Sequence, residues 1–209
     1  IVIDNGTVTT LAGSGSSGSA DNATGTSASF NDPPGITTDG TNLYVAEFGN
    51  HRIRKIVIST GVVTTFAGSG YGFADATGTS AKFNNPRAIT TDGSNLYVGD
   101  FNNHRIRKIV ISTGAVTTLA GSGSAGSTDA TGTAARFNNP FGITSDGKNL
   151  YVAEHSNHKI RKITLVKTEA TDFAMYNLDD DLNVTVNVAS SNTSEGTVSP
   201  STLTFTPNN

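Results

Sequence analysis

The chain has 209 residues, of which 35% are hydrophobic and 15% are charged, and its formal net charge is −3. It contains no Cys, which excludes a disulfide framework and a thiolate metal site. The sequence has neither a membrane-spanning apolar run nor a signal segment, and it does not begin with Met, so we expect a processed protein or a fragment.

The most informative feature is a pattern that occurs three times with a period of 53 to 55 residues. Val-Thr-Thr, an apolar residue and Ala-Gly-Ser-Gly follow one another from Val8, Val63 and Val116. Leu-Tyr-Val, a small residue and an acid follow one another from Leu43, Leu96 and Leu150. A fixed period of this length predicts an architecture of stacked repeats.

The middle copy predicts four short strands, at residues 88–91, 96–98, 105–111 and 115–120. Turn-forming residues separate these strands, and the Asp-Gly pair at 92–93 is the strongest turn signal. Four strands joined by tight turns favour an antiparallel meander, and no helical periodicity competes with it. A tandem four-stranded meander is typical of β-propeller blades. The predicted fold class is therefore all-β, with three blades.

The motif Asn-His-(Arg or Lys)-Ile opens the third strand of every copy and contains His51, His104 and His158. Together with the Asp-Gly turn and the Leu-Tyr-Val strand, it resembles the NHL repeat of bacterial surface or secreted proteins over residues 1–166. The resemblance implies a propeller of about six blades. It also implies that the three His residues form structural hydrogen bonds between strands. Zinc binding through His, as in some NHL-like lyases, is the alternative.

The predicted strands do not complete a ring. Full strand sets begin near Ile36 and Ile89, whereas the set that begins at Ile143 lacks its last strand. The chain opens inside a third strand, so residues 1–12 supply an outer strand without a blade. A propeller needs at least about four blades. We therefore expect that two copies exchange outer strands, or that the chain is part of a longer array.

Positions that vary between the copies predict a binding face. In an up-and-down meander, the start of the first strand and the loop between the second and third strands lie on one face. The segments between blades, about twenty residues each, are on the same face, and long loops often carry function. Divergence of the repeats is the alternative explanation for the variation. The candidate binding residues are Pro34, Arg87, Phe141, Phe48, Phe101 and His155.

One acidic residue ends the second strand of every copy, at Glu47, Asp100 and Glu154, and a base follows five residues later, at Arg52, Arg105 and Lys159. Paired acids serve general acid–base catalysis. A single acid per blade at a turn is more typical of a group that bonds a backbone N–H or a neighbouring base. The sequence contains no nucleophile–base pair, phosphate loop or zinc motif, so we predict that it is not an enzyme.

Metal and nucleic-acid binding have weak signals in this sequence. Asp75 and Asp129 in Gly/Thr-rich loops, and Asp179 and Asp181 in an acidic turn, are candidate calcium ligands. One carboxylate per loop is few for an ion that takes about six to eight oxygens, so no cofactor is predicted, although calcium remains an option. The negative net charge argues against nucleic-acid binding.

The composition changes near Lys167. Residues 1–167 contain all 14 Lys and Arg residues, whereas residues 168–209 contain six acids and no base. This asymmetry predicts a domain boundary. Strands are predicted at residues 172–177, 182–188 and 203–206, and the segment resembles part of a Calx-β or bacterial immunoglobulin-like β-sandwich.

These features predict an extracellular or cell-surface protein with a structural or adhesive role. Its expected partners are other copies of itself or the rest of a longer chain, and strand exchange would link copies into an assembly or filament. One alternative is a protein- or glycan-binding propeller domain of a large adhesin, with surface proteins or glycans as partners. A second alternative is a propeller-class lyase or lactonase with a metal in its channel.

Overall fold

The structure, a computed structural model, describes residues 6–165, 184–187 and 202–205. The chain divides into two compact units, Ile1–Lys167 and Thr168–Asn209. Three antiparallel sheets form the first unit, and one antiparallel strand pair is described in the second. The prediction of an all-β fold is therefore confirmed. Across the described part of the chain, no helix has the length and apolar character needed to cross a membrane.

Each sheet of the first unit is one blade, whose main strands pair in chain order. The first blade contains β1 (Gly35–Thr38), β2 (Asn42–Glu47), β3 (Arg52–Val57) and β4 (Val63–Ala67). The second contains a short outer-edge strand, β5 (Ala76–Thr77), and then β6 (Pro86–Thr91), β7 (Asn95–Asp100), β8 (Arg105–Val110) and β9 (Ala115–Ala120). The third contains β10 (Pro140–Ser145), β11 (Asn149–Glu154) and β12 (Lys159–Thr164). Single 3₁₀ turns lie at Gly25–Ser27, Gly78–Ser80, Phe101–Asn103 and Gly132–Ala134.

An aspartate closes the turn between the first two strands of every blade. The Asp39 carboxylate accepts hydrogen bonds from the backbone N–H groups of Thr41 and Asn42, at 2.9 and 2.7 Å, and from the Tyr44 hydroxyl at 3.0 Å. Burial raises the pKa of Asp39, but these hydrogen bonds outweigh it and lower the pKa to about 2. The same contacts recur around Asp92 and Asp146. The Asp-Gly pairs thus act as the predicted turns.

The hydrophobic core lies between neighbouring blades. Ile53 of the first blade belongs to one buried cluster with Phe83 and Leu96 of the second, and all three are fully buried. Ile106 of the second blade belongs to a cluster with Leu150 of the third. Each of the first two blades is therefore covered by the blade that follows it. A repeated position is buried when another blade packs against it and is more exposed when none does.

Residues 6–12 form no strand, although the repeat aligns them with β4 and β9. Both of those strands pair with a third strand of their own blade, and no described residue before Val8 provides such a partner. The Val8 side chain is consequently 93% exposed. The chain resumes its repeated course at Gly13, whose N–H donates to the carbonyl of Gly25 at 3.0 Å.

In the second unit, β13 (Val184–Asn187) pairs with β14 (Thr202–Phe205). The first of these strands falls within the predicted segment 182–188, and the second overlaps the predicted segment 203–206 but starts one residue earlier. The predicted strand at 172–177 and the acids Asp179 and Asp181 lie outside the described residues. The Calx-β or immunoglobulin-like character of this unit stays a prediction.

Candidate functional site

Each blade contains an arginine that pairs with two carboxylates. In the second blade, the fully buried Arg107 lies 2.7 Å from Asp100 and 2.6 Å from Asp75. Its guanidinium also donates to the backbone carbonyls of Lys82 and Ala74, at 3.0 and 2.8 Å. The loop before the blade is thereby held against the blade. Equivalent groups join Arg54 with Glu47 and Asp21, and Arg161 with Glu154 and Asp129.

The acids at the ends of the second strands have the structural role that their position predicts. The Asp100 carboxylate accepts the backbone N–H of Asn84 at 2.8 Å, and burial raises its pKa although Arg107 opposes this rise. The base that pairs with Asp100 is Arg107, whereas the Arg105 side chain donates to the carbonyl of Ser122. Residues 105 and 107 share one face of β8, but Arg107 is the fully buried one, and a buried carboxylate is stabilised by a buried cation.

The structure pairs the carboxylates of Asp75 and Asp129, the candidate calcium ligands named above, with arginines. The Asp75 carboxylate contacts Arg107 and accepts from the backbone N–H and the hydroxyl of Thr118, at 3.1 and 3.2 Å. Asp129 bonds Arg161. A guanidinium at this distance repels a divalent cation, so the structure assigns both acids to ion pairs. Within residues 6–165, no group of three or more His, Asp or Glu side chains is arranged to hold a metal.

The repeated histidines join successive blades. His51 Nδ1 accepts the backbone N–H of Asn85 at 2.9 Å, and His104 Nδ1 accepts that of Asn139 at 3.2 Å. Both His residues adopt positive φ, at 56° and 53°, and so does His158, at 52°. The hydrogen-bonding role implied by the NHL resemblance is present, and it acts between blades.

We expect acidification to weaken the contact between blades. Burial lowers the pKa of His51, and burial together with Arg105 lowers that of His104, from the ordinary 6.5. The unfolded chain therefore binds protons that the folded chain excludes, so stability is full above pH 6.5 and falls as the pH drops below it. Denaturant titrations at a series of pH values from about 7.5 to about 5 measure this decrease in the free energy of unfolding.

The variant His51→Asn should reduce this pH dependence, because Asn tolerates positive φ and carries no titrating group. The control is His155→Asn, since the His155 side chain makes no hydrogen bond to the described residues of another blade. An unchanged slope in His51→Asn would contradict the assignment.

A second group of residues gathers on the face that carries the loops between the second and third strands. Two of its members, Arg87 and Phe141, are the extra residues of β-bulges, where the register shifts between Pro86 and Ala88 and between Pro140 and Gly142. A bulge leaves one residue outside the strand pairing and re-aims its side chain. Both bulges lie at the start of a blade's first strand.

Rings from three blades surround Arg87. Its Cζ atom lies 5.4 Å from the centre of the Phe48 ring, 5.6 Å from that of Phe101 and 4.1 Å from that of Phe141. The Phe141 ring stacks on His155, with 5.7 Å between centres and an interplanar angle of 22°. We call these five residues the Arg87 cluster. The structure thus brings together five of the six residues predicted as a binding face.

Pro34, the sixth predicted residue, is exposed and takes no part in the cluster. It precedes β1, where the pairing with β2 begins at Gly35 without a bulge. Sequence reasoning missed Asn85 and Asn139, whose side chains donate to the carbonyls of Phe48 and Phe101, at 2.9 and 3.3 Å. The repeated Asn-Asn-Pro at 84–86 and 138–140 is the signal that marks them.

No protein-family model matches the sequence. The chain is similar to NHL repeat-containing protein 2 of Homo sapiens, with 32% identity over 177 residues that make up 77% of the chain and 24% of that protein. It is also similar to Protein SUPPRESSOR OF QUENCHING 1, chloroplastic, of Arabidopsis thaliana, with 31% identity over 78% of the chain and 17% of that protein. The chain spans a quarter or less of these two relatives.

Solved structures of similar fold come from Bacteroides. A protein of unknown function from Bacteroides thetaiotaomicron is 31% identical, with a TM-score of 0.55 over 59% of the chain and 32% of that protein. An auxiliary nutrient binding protein from Bacteroides ovatus is 27% identical, with a TM-score of 0.52 over 59% of the chain and 34% of that protein.

Proposed function

From the NHL-repeat β-propeller fold of this chain, we propose that it is a non-catalytic protein-binding module whose outer blade faces bind further blades of the same kind. The observation that carries the proposal is the unequal burial of one repeated residue. Ile53 and Ile106 are fully buried by the blade that follows them, whereas Ile160 in the third blade is 74% exposed. An exposed apolar surface of this kind is typical of an interface.

The first blade offers the complementary surface. Beside Phe30, a hollow of about 610 Å³ is lined by residues such as Thr10, Ala12, Gly13 and Asp32. In the next copy of the repeat, Gly68 has the position of Gly13. There the backbone of His51 fills the space, since a Cβ atom on Gly68 would lie 2.7 Å from the His51 carbonyl oxygen. The hollow therefore has the position that a neighbouring His-Lys-Ile segment would take, and the third blade exposes such a segment at residues 158–160.

Residues 8–12, which belong to no sheet, fit the edge strand β12 of the third blade, beside which the described residues form no fourth strand. Alignment with the β3–β4 register predicts that Val8 pairs with Ile163, Thr9 with Lys162 and Thr10 with Arg161. In the second blade, Asp75 accepts two hydrogen bonds from Thr118. Its equivalent Asp129 is 91% exposed, and Thr10 has the sequence position of the missing donor.

The occupant that we propose for both surfaces is a second copy of the chain, so that two sets of three blades exchange outer strands. An isologous arrangement closes a ring, whereas a rotation that does not close gives a filament. The proposal includes a structural or adhesive role at the cell surface or outside the cell. It is non-catalytic because the repeated acids and two of the repeated His residues are engaged in structural bonds.

Light scattering should show a particle with twice the mass of one chain. Ile160→Asp should dissociate it, because a charge would enter the apolar contact, and Lys148→Glu in an exposed turn should not. The chain has no Cys, so the pair Thr9→Cys and Lys162→Cys reports the register directly by an intermolecular disulfide. Thr9→Cys with Lys148→Cys is the matched control. A monomer at every concentration, without the cross-link, rejects self-association.

The second candidate function is a ligand-binding propeller domain of a larger surface protein. The Arg87 cluster favours this function, because it presents a cation and exposed rings on the loop face. The two proposals use different surfaces. A chain that is monomeric in solution would reject self-association but would not contradict ligand binding by the Arg87 cluster.

A further inference from the structure

We propose that the Arg87 cluster binds a carboxylate flanked by an aromatic group, as in an acidic peptide segment of a partner protein. This site is independent of the blade faces discussed above. It is built by side chains of three blades, and the sequence predicted its members as candidate binding residues without indicating what they bind.

The Arg87 guanidinium is a cation without an anion. Within residues 6–165, it makes no hydrogen bond and no ion pair, and its Nε atom is buried without a partner. The Nε atom of the deeply buried Arg107 also lacks a partner, but the terminal N–H groups of Arg107 bond two carboxylates and two carbonyls, whereas those of Arg87 bond no described residue. A planar fork of N–H donors that lacks an acceptor is suited to bidentate binding of a carboxylate.

The surrounding rings are held in place before any ligand arrives. The side chains of Asn85 and Asn139 bond the backbone of Phe48 and Phe101, and the bulge fixes Phe141 beside Arg87. Phe48 and Phe101 meet edge to face, with 6.3 Å between ring centres. Such preorganisation lowers the entropy cost of binding.

The chemistry of the cluster favours a carboxylate with an apolar neighbour. Phe141 is 42% exposed and stacks on the exposed His155, so a ring surface is available beside the cation. Offset or edge contacts with this surface suit an aromatic side chain of the ligand. A nucleic acid would require a basic patch, whereas this chain has a net charge of −3 and the cluster has a single Arg.

The probe is the blocked tripeptide Phe-Glu-Phe, and its uncharged analogue Phe-Gln-Phe is the matched ligand. In titration calorimetry, we expect the Glu peptide to bind about tenfold more tightly. Arg87→Gln should remove this preference. Arg87→Lys should keep only part of it, because Lys lacks the planar fork. Lys148→Gln removes the same charge from an exposed turn and should bind both peptides as the unsubstituted chain does.

Thermal unfolding verifies that each variant is folded. If Arg87→Gln does not fold, both peptides are titrated instead against the two single variants Arg87→Lys and Phe141→Leu. The proposal is overturned if both peptides bind equally or not at all. It is also overturned if Arg87→Gln and Lys148→Gln lower the affinity by the same factor, because bulk charge would then explain binding. Tighter binding of oligouridylate or inorganic phosphate than of the Glu peptide would overturn it as well.

Discussion

Replacing Arg107 by Met is expected to lower the free energy of unfolding by about 3–5 kcal/mol. The substitution leaves Asp100 fully buried without its cation, and it also releases the carbonyls of Lys82 and Ala74. Removing one partner of a buried ion pair costs more than the pair contributes, because the remaining charge loses both water and its counterion. Urea denaturation followed by circular dichroism measures the change.

Arg161→Met is the matched control, since Arg161 makes the equivalent ion pairs in the third blade but is more exposed to solvent there. The Arg161 side chain is 10% exposed, and its partner Asp129 is 91% exposed, compared with 41% for Asp75. Water therefore screens part of the lost interaction, and a smaller decrease is expected. Equal losses in the two variants would show that burial does not control the strength of the pair.

Phe83→Ala is expected to cost about 3–5 kcal/mol of unfolding free energy. Phe83 is fully buried in the cluster shared by the first two blades, and the Arg107 guanidinium lies 5.1 Å from its ring centre. Truncation leaves a cavity between blades that the rigid sheets cannot close, and it removes a cation–π contact. Thermal or urea unfolding measures the loss.

Phe30→Ala tests the role of the neighbouring blade in this effect. Phe30 has the same place in the repeat and contacts Arg54 in the same way, with 5.0 Å from Cζ to the ring centre. It is only partly buried, because the hollow beside it is empty. We expect a smaller loss, and a loss as large as that of Phe83→Ala would contradict the argument.

The repeat predicted the blades well because their information is local. The Asp-Gly turns and the positions of the main strands agree with the structure, and the described residues give the third blade three strands. Aspartate at a turn bonds N–H groups two and three residues away, so its role is decided within one short segment. Alternation along a strand likewise assigns faces without knowledge of the neighbours.

The Arg87 cluster was predicted in part. Topology placed the starts of the first strands and the loops after the second strands on one face, and variation between copies marked the residues. The contacts themselves depend on the two β-bulges after Pro86 and Pro140, and the sequence analysis did not predict these bulges. Pro34 lies outside this cluster, since the first blade lacks the bulge, and its role in binding stays a prediction.

The sequence by itself determined the order of the main strands in each blade, the turns and the period of the repeat, because short-range backbone chemistry controls them. Only the tertiary structure decided which arginine neutralises each acid, which blade each histidine contacts, and which variable side chains meet around Arg87. Those contacts join residues that range from 7 positions apart, as in Asp100 and Arg107, to 54 positions apart, as in Arg87 and Phe141. They depend on how one twisted sheet packs against the next, and no local pattern encodes that geometry.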